Sequence, residues 1–173
     1  ENLWIILKIL EPCDFSRGRF SDITPGTVHA SLKGSVIFAE IQQSSDITYR
    51  IYDFDRIDKD GKKRELHLDN AADVIDFGKK VEIKNTNFKN GETEKNIIKN
   101  KFYSIDKIKI LNSYEDSCSE SMIIYTVLDG NGKIFWNENE FLELKKGENI
   151  LIPVDLKVQL EGNFEILRTT IEE

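Results

Sequence analysis

Two histidines, His29 and His67, supply all the imidazoles of the 173-residue chain. His29 follows Thr24-Pro25-Gly26-Thr27-Val28, in which the Pro-Gly pair marks a tight turn. A run of strand type comes next over residues 35–43, Ser-Val-Ile-Phe-Ala-Glu-Ile-Gln-Gln. A histidine at the mouth of a strand pair is well placed to bind a metal, because neutral imidazole is a borderline ligand suited to zinc. Taken alone, a histidine beside a turn is more often a surface or satisfied core residue. One imidazole also cannot hold a catalytic zinc, which takes three protein ligands and keeps an open position. Glu40 and Gln42 share a face of the expected strand. They read equally well as hydrogen-bonding support for a site or as solvated side chains.

Three blocks stand in order: Pro25-Gly26-Thr27-Val28-His29-Ala30, then Glu40 onward through Thr48-Tyr49-Arg50-Ile51-Tyr52-Asp53-Phe54-Asp55-Arg56, then Arg64-Glu65-Leu66-His67-Leu68-Asp69. Together they closely resemble type I mannose-6-phosphate isomerases of the short bacterial kind, most densely over residues 23–77. Upstream, Arg19 and Asp22 depart from the family's Lys-Gly-Asp-x-x-x-Ile-Pro. The resemblance implies a mainly β fold of cupin (jelly-roll) barrels and one zinc ion. It implies interconversion of mannose 6-phosphate and fructose 6-phosphate through an enediol.

In the family, zinc is held by a Gln-x-His pair, a Glu and a later His. His29 matches the later His, while neither histidine has a Gln two positions before it. Arg50, in Thr-Tyr-Arg, matches the family's active-site arginine. Its permanently charged fork can steady an enediolate or orient a phosphate; pairing with an acid such as Asp53 is the plainer role. The family's chains begin upstream of Glu1, so this chain looks like the C-terminal portion. It would be nearly inactive alone, with the remaining zinc ligands in the absent stretch. The rival expectation is a non-catalytic cupin module that binds sugar or mediates contacts and lacks a complete metal site.

Composition narrows the partners. A net charge of -7, from 31 acidic and 24 basic residues, argues against a nucleic-acid surface, while a phosphorylated sugar needs only a local positive site. Hydrophobic content of 39% and aromatic content of 10% suffice for a sizeable core. Cys13 and Cys118 make no disulfide framework, which fits a cytoplasmic compartment. No apolar run reaches membrane-span length, residues 3–10 being interrupted by Lys8. No signal peptide is read, and a chain starting at Glu1 suggests processing, trimming or a partial sequence.

The elements that must position these residues read as follows. Residues 3–10 form a buried strand or a short helix, ended by Glu11-Pro12. Gly34 turns into the strand at 35–43, Ser44-Ser45-Asp46 turns again, and residues 47–53 alternate with a period of two. Residues 59–63 make a charged, solvated loop. A helix runs from Asp69, its cap, to Gly78, its stop, and joins two halves. Short strands follow at 81–85, 102–105, 107–111 and 122–128, with residues 85–100 a long loop. Asp129-Gly130-Asn131-Gly132 is expected to be a hairpin turn into residues 133–136. The tail adds strands at 141–144, 149–152, 157–160 and 164–170.

Lys146-Gly147-Glu148-Asn149-Ile150-Leu151-Ile152-Pro153 echoes residues 17–23, which places Val158 opposite His29. The expected organisation is therefore residues 1–78 as the C-terminal part of a first, metal-binding barrel with its joining helix. Residues 79–173 would be a complete second barrel without a metal site. His67 reads as structural, packed at the helix start. Arg64 reads as a surface residue first and a phosphate contact second. Lys133 and Trp136 read as barrel surface and core. A truncated first barrel would expose strand edges and favour self-association.

Overall fold

The computed structural model describes residues 17–30 and 37–172, and the chain divides into two units, Glu1–Asn85 and Thr86–Glu173. The strand expected over residues 3–10, Cys13 and the Gly34 turn lie outside the described residues. The fold is mainly β, with a single helix among the described residues.

In the first unit, β1 (Arg19–Ser21) pairs antiparallel with β2 (Ile83–Asn85), Phe20 opposite Lys84. These two short strands are the only sheet of this unit among the described residues. Residues 37–43 and 47–53 form no strand, contrary to their alternating pattern. Alternation sets which side chains share a face, but a strand exists only where its N–H and C=O groups find a ladder partner. None of the described strands supplies one, and Ile37, Phe38, Ile47 and Tyr52 stay exposed.

The helix α1 (Leu68–Val74) is shorter than the expected 69–78, and His67, not Asp69, occupies its N-cap. Asp69 falls in the first turn, where the partial positive charge of the helix start favours a carboxylate. Ile75 turns extended at ψ 127°. The next N–H, of Asp76, donates to the carbonyl of Gly26 at 3.0 Å. That bond leads the chain away from the helix before Gly78 can act as a stop.

The second unit is one antiparallel sheet in the order β3-β4-β8-β5-β6, with β7 alongside the first half of β5. Its strands are β3 (Glu94–Lys99), β4 (Tyr103–Asp116), β5 (Ile123–Phe135), β6 (Phe141–Lys145), β7 (Asn149–Ile152) and β8 (Val158–Ile171). The long loop expected over 85–100 thus contains a strand. Three pairs of expected short strands are three continuous ones.

The expected hairpin at Asp129-Gly130-Asn131-Gly132 is instead the middle of β5. Gly130 faces Phe164 and Gly132 faces Gly162 on β8. A Cβ on Gly132 would come within 2.3 Å of the Phe164 ring and 2.5 Å of the Glu161 carbonyl. The glycines are there for close approach, the other meaning of glycine inside a strand pattern. Asn112 on β4 (φ 75°) stands opposite Gly162 (φ 140°), which stands opposite Gly132. This row of left-handed and side-chain-free positions is where the three long strands crease.

The crease turns one sheet into two facing layers. Even-numbered residues of β8 point inward: Val158, Leu160, Phe164 and Ile166 are all buried. On β5 the inward set is Ile123, Tyr125 and Val127, then Ile134. The change of parity follows from the bulge between Val127 and Asp129, since one extra residue flips the faces of a strand. Ile108, Ile110, Leu144 and Ile152 complete the core.

Gly132→Ala should therefore lower stability by about 1–3 kcal/mol, the usual range for overpacking a filled core. The double variant Gly132→Ala/Phe164→Leu should recover part of that loss. Urea unfolding midpoints of the three proteins test this; equal midpoints would mean that the crease tolerates a methyl group.

Candidate functional site

The site residues read from the sequence lie in the first unit, on irregular backbone pinned at a few points. His29 is exposed, and its Nδ1 lies 3.0 Å from the carbonyl oxygen of Thr27. The Thr24-to-Thr27 turn carries it, closed by the Thr27 N–H donating to the Thr24 carbonyl at 3.2 Å. A carbonyl only accepts, so Nδ1 carries the proton and the lone pair of Nε2 is left open. A ligating histidine commonly has this arrangement, with the far nitrogen bonded to a carbonyl and the near one free.

His67 holds the opposite tautomer. Its Nδ1 accepts the Arg50 backbone N–H at 3.1 Å, and the His67 backbone N–H donates to the Arg50 carbonyl at 2.8 Å. Both backbone groups of Arg50 are thus paired with one residue, so that Arg50 is fixed without a strand. The lone pair of His67 is occupied, as its structural reading requires.

Around Arg50 the charged groups converge on Asp53, whose side chain is only 11% exposed. Arg64 donates to it twice, from Nε at 2.8 Å and from a terminal amino group in a closer contact. Arg50 Nε stands 3.9 Å from Asp53 Oδ1, and Arg50 also donates to the Glu65 carbonyl at 3.3 Å. The Arg64 hydrogen bond, with the nearby charges of Arg64, Arg50 and Arg56, holds the Asp53 carboxyl below the usual aspartate range against the effect of burial. Phe54 and Asp55 both sit in the left-handed region, at φ 52° and 53°, an uncommon state for a bulky residue. Asp53, which the sequence offered only as a partner for Arg50, is the hub of the cluster. Arg64 is its stronger partner.

The structure brings together Arg50, Asp53, Arg64 and His67. Among the described residues no hydrogen bond joins His29 to this group, and no three His, Cys, Asp or Glu side chains gather as a metal site. His29 fits a zinc by its free Nε2, as one ligand of a set. Glu40 and Gln42 are exposed and make no hydrogen bond among the described residues.

The second unit has its own polar interior. Asp116 accepts from Arg168 Nε at 2.6 Å, from Arg168 Nη2 at 3.1 Å and from the Tyr125 hydroxyl at 2.5 Å. Desolvation, then the proximity of Asp116, pushes the Tyr114 phenol up to about 12. Burial raises Tyr125 further. Both phenols thus stay neutral, and Tyr125 is the one that donates to the carboxylate. A shallow cleft of about 890 Å³ lies on the outside of the crease, lined by Asn112, Asn131, Lys133, Glu143, Glu161 and Asn163 among others. Both histidines lie in the other unit.

Arg168→Leu should cost about 3–5 kcal/mol, because it leaves the Asp116 charge buried without its partner. Replacing both, as Arg168→Met/Asp116→Leu, should cost much less. Thermal melts that rank the double variant as the less stable would show that the pair itself, not the orphaned charge, carries the stability.

Residues 93–171 match the family described as mannose-6-phosphate isomerase, cupin domain. The chain is 34% identical to a mannose-6-phosphate isomerase of Streptococcus mutans over 158 residues, covering 90% of this chain and 49% of that protein. It is 33% identical to the mannose-6-phosphate isomerase ManA of Bacillus subtilis, covering 92% of this chain and 51% of the relative. The chain thus spans about half the length of these curated relatives. The solved structure of a Bacillus subtilis mannose 6-phosphate isomerase superposes with a TM-score of 0.54 at 25% identity, over 72% of this chain and 40% of that one.

Proposed function

We propose that this chain, which belongs to the mannose-6-phosphate isomerase family and has a cupin-like fold, is the part of such an enzyme that carries one zinc ligand and the active-site arginine. The full arrangement would be a partial first cupin barrel joined to a complete second one. The reaction is the zinc-dependent interconversion of mannose 6-phosphate and fructose 6-phosphate in the cytoplasm, through an enediol. The observation that carries this reading is the division between the two histidines. His29 offers a free Nε2, whereas His67 uses its lone pair to hold Arg50.

His29 would hold the zinc, with its other ligands outside this chain; bound there, zinc supplies Lewis acidity toward the sugar's oxygens. Aldose–ketose exchange moves a proton between adjacent carbons, so negative charge develops on oxygen as the C–H bond breaks. Arg50 presents a guanidinium that cannot lose its proton and whose backbone is fixed at both N–H and C=O. A preorganised donor of this kind stabilises charge that appears only in the transition state. Its side chain is 24% exposed, buried enough to be oriented and open enough to be reached by substrate.

Supplied with an upstream segment carrying a Gln-x-His motif, as a longer chain or a complementing fragment, the assembly should form fructose 6-phosphate and hold about one zinc per chain. Arg50→Ala should lower turnover about 10²- to 10³-fold, the usual loss of one transition-state donor, with a small change in melting temperature. His29→Ala should lose zinc as well as rate. The 173 residues alone should be nearly inactive and prone to self-association. A completed chain free of zinc and of turnover would identify a non-catalytic sugar-binding or contact module instead.

A further inference from the structure

We infer that Asp53 is a positioning residue that holds Arg50 and Arg64 as a two-guanidinium clamp, and that Arg64 takes the anionic group of the phosphosugar. The inference rests on the phosphosugar reading above and specifies how that site meets its anion. Nothing in the pattern of one arginine and one acid required a second guanidinium. The structure nevertheless gives Asp53 two, Arg64 through paired hydrogen bonds and Arg50 at 3.9 Å.

The charge balance favours an anion. Two guanidiniums against one carboxylate leave an excess positive charge, and the Lys63–Asp55 pair beside them is self-neutralising at 2.7 Å. Asp53 is the most buried member of the cluster, with 11% of its side chain exposed against 24% for Arg50 and 46% for Arg64. The carboxylate therefore sits beneath and the forks lie nearer solvent. Arg64 uses Nε and one terminal nitrogen on Asp53, so its remaining donors are free for a second acceptor. A planar fork of this kind matches phosphate oxygens bidentately. The left-handed pair Phe54-Asp55 turns the chain directly after Asp53, and the Arg56 N–H returns to the Asp53 carbonyl at 3.0 Å. Such strain persists only where the surroundings over-determine it.

Two models of Asp53 make opposite predictions. If the carboxylate only competes with ligands for the arginines, removing its charge should tighten anion binding. If it positions them, binding should weaken although the local charge becomes more positive. The test is titration of the full chain with inorganic phosphate and with fructose 6-phosphate at low ionic strength, followed by NMR shifts and calorimetry. Arg64→Gln should weaken both by about tenfold or more, the loss of a charge-assisted hydrogen bond. Asp53→Asn should weaken them by a comparable factor, with partial recovery in Asp53→Glu.

Tighter or unchanged binding in Asp53→Asn would overturn the positioning role. Wild-type affinity in Arg64→Gln, or no binding by the wild type, would overturn the clamp. Arg64 is half exposed, so its variant keeps the fold and decides the matter should Asp53→Asn not fold. Phosphate binding that depends on these residues in a completed chain without turnover would remove the isomerase reading and leave the clamp. Turnover with phosphate binding indifferent to both residues would do the reverse.

Discussion

The contact between Asp116 and Arg168 is the constraint on which the second unit depends. On β4 the residue opposite Arg168 is Asp106, and Asp116 lies opposite Val158. In a flat sheet ten residues of strand would separate the two charges by roughly 33 Å, at about 3.3 Å per residue. The carboxylate and guanidinium are nevertheless 2.6 Å apart. That distance is met only if the sheet folds over, and the crease at Asn112, Gly162 and Gly132 lies between the two ends. Tyr125, whose in-register neighbour on β8 is Arg168, adds its hydroxyl to the same carboxylate. The ion pair therefore fixes which layers face each other, and the apolar residues on the inner faces fill the space that it defines. Its stabilisation is specificity more than net energy, since burying both charges costs much of what their attraction returns.

The first unit solves a different problem. Its described residues bury little apolar surface, Ala71 being the only buried hydrophobic among them, so packing cannot hold its functional segment. Hydrogen bonds do so instead, and each serves two ends. His67 starts the helix and carries the backbone of Arg50. The Gly26 carbonyl accepts from Asp76 beyond the helix, which ties the His29 turn to the helix terminus. A positive φ of 83° at Gly26, and the Val74 carbonyl 2.7 Å from where its Cβ would be, explain why glycine follows the proline. Here the local sequence fixes the turn, while the partners sit some fifty residues away.

Much of this was legible in the sequence, and the misreadings share a cause. The mainly β class, the strands expected at 141–144 and 149–152 and the structural role of His67 follow from pattern and turn chemistry. On β8 the strands expected at 157–160 and 164–170 lie within one strand, along which Val158, Leu160, Phe164 and Ile166 are buried and their neighbours are more open. What failed was the reading of interruptions. Asn-Gly pairs signal either a hairpin or a crease, and only the presence of Phe164 on the neighbouring strand decides between them. The loop expected over 85–100 failed likewise: Asn, Lys and Glu are poor strand formers, but β3 is an edge strand with one ladder partner, where charged residues are at home. At 37–53 the error ran the other way, because a good strand pattern has no described partner. In each case the deciding interaction is long-range, so no local window contains it.

The candidate site divides along the same line. Asp53 and Arg64 lie in the same sequence blocks as Arg50 and His67, but their pairing with each other, across an eleven-residue gap that irregular backbone closes, shows only in the structure. The two histidines show the limit most clearly. Each lies within a block shared with one family, and composition cannot rank them. What distinguishes them is one proton. A carbonyl partner obliges Nδ1 of His29 to donate, which frees Nε2; a backbone N–H partner obliges Nδ1 of His67 to accept, which occupies its lone pair. The same side chain is thereby a prospective ligand in one place and a backbone acceptor in the other. The choice is made by the hydrogen-bonding polarity of a neighbour two residues away for His29 and seventeen away for His67.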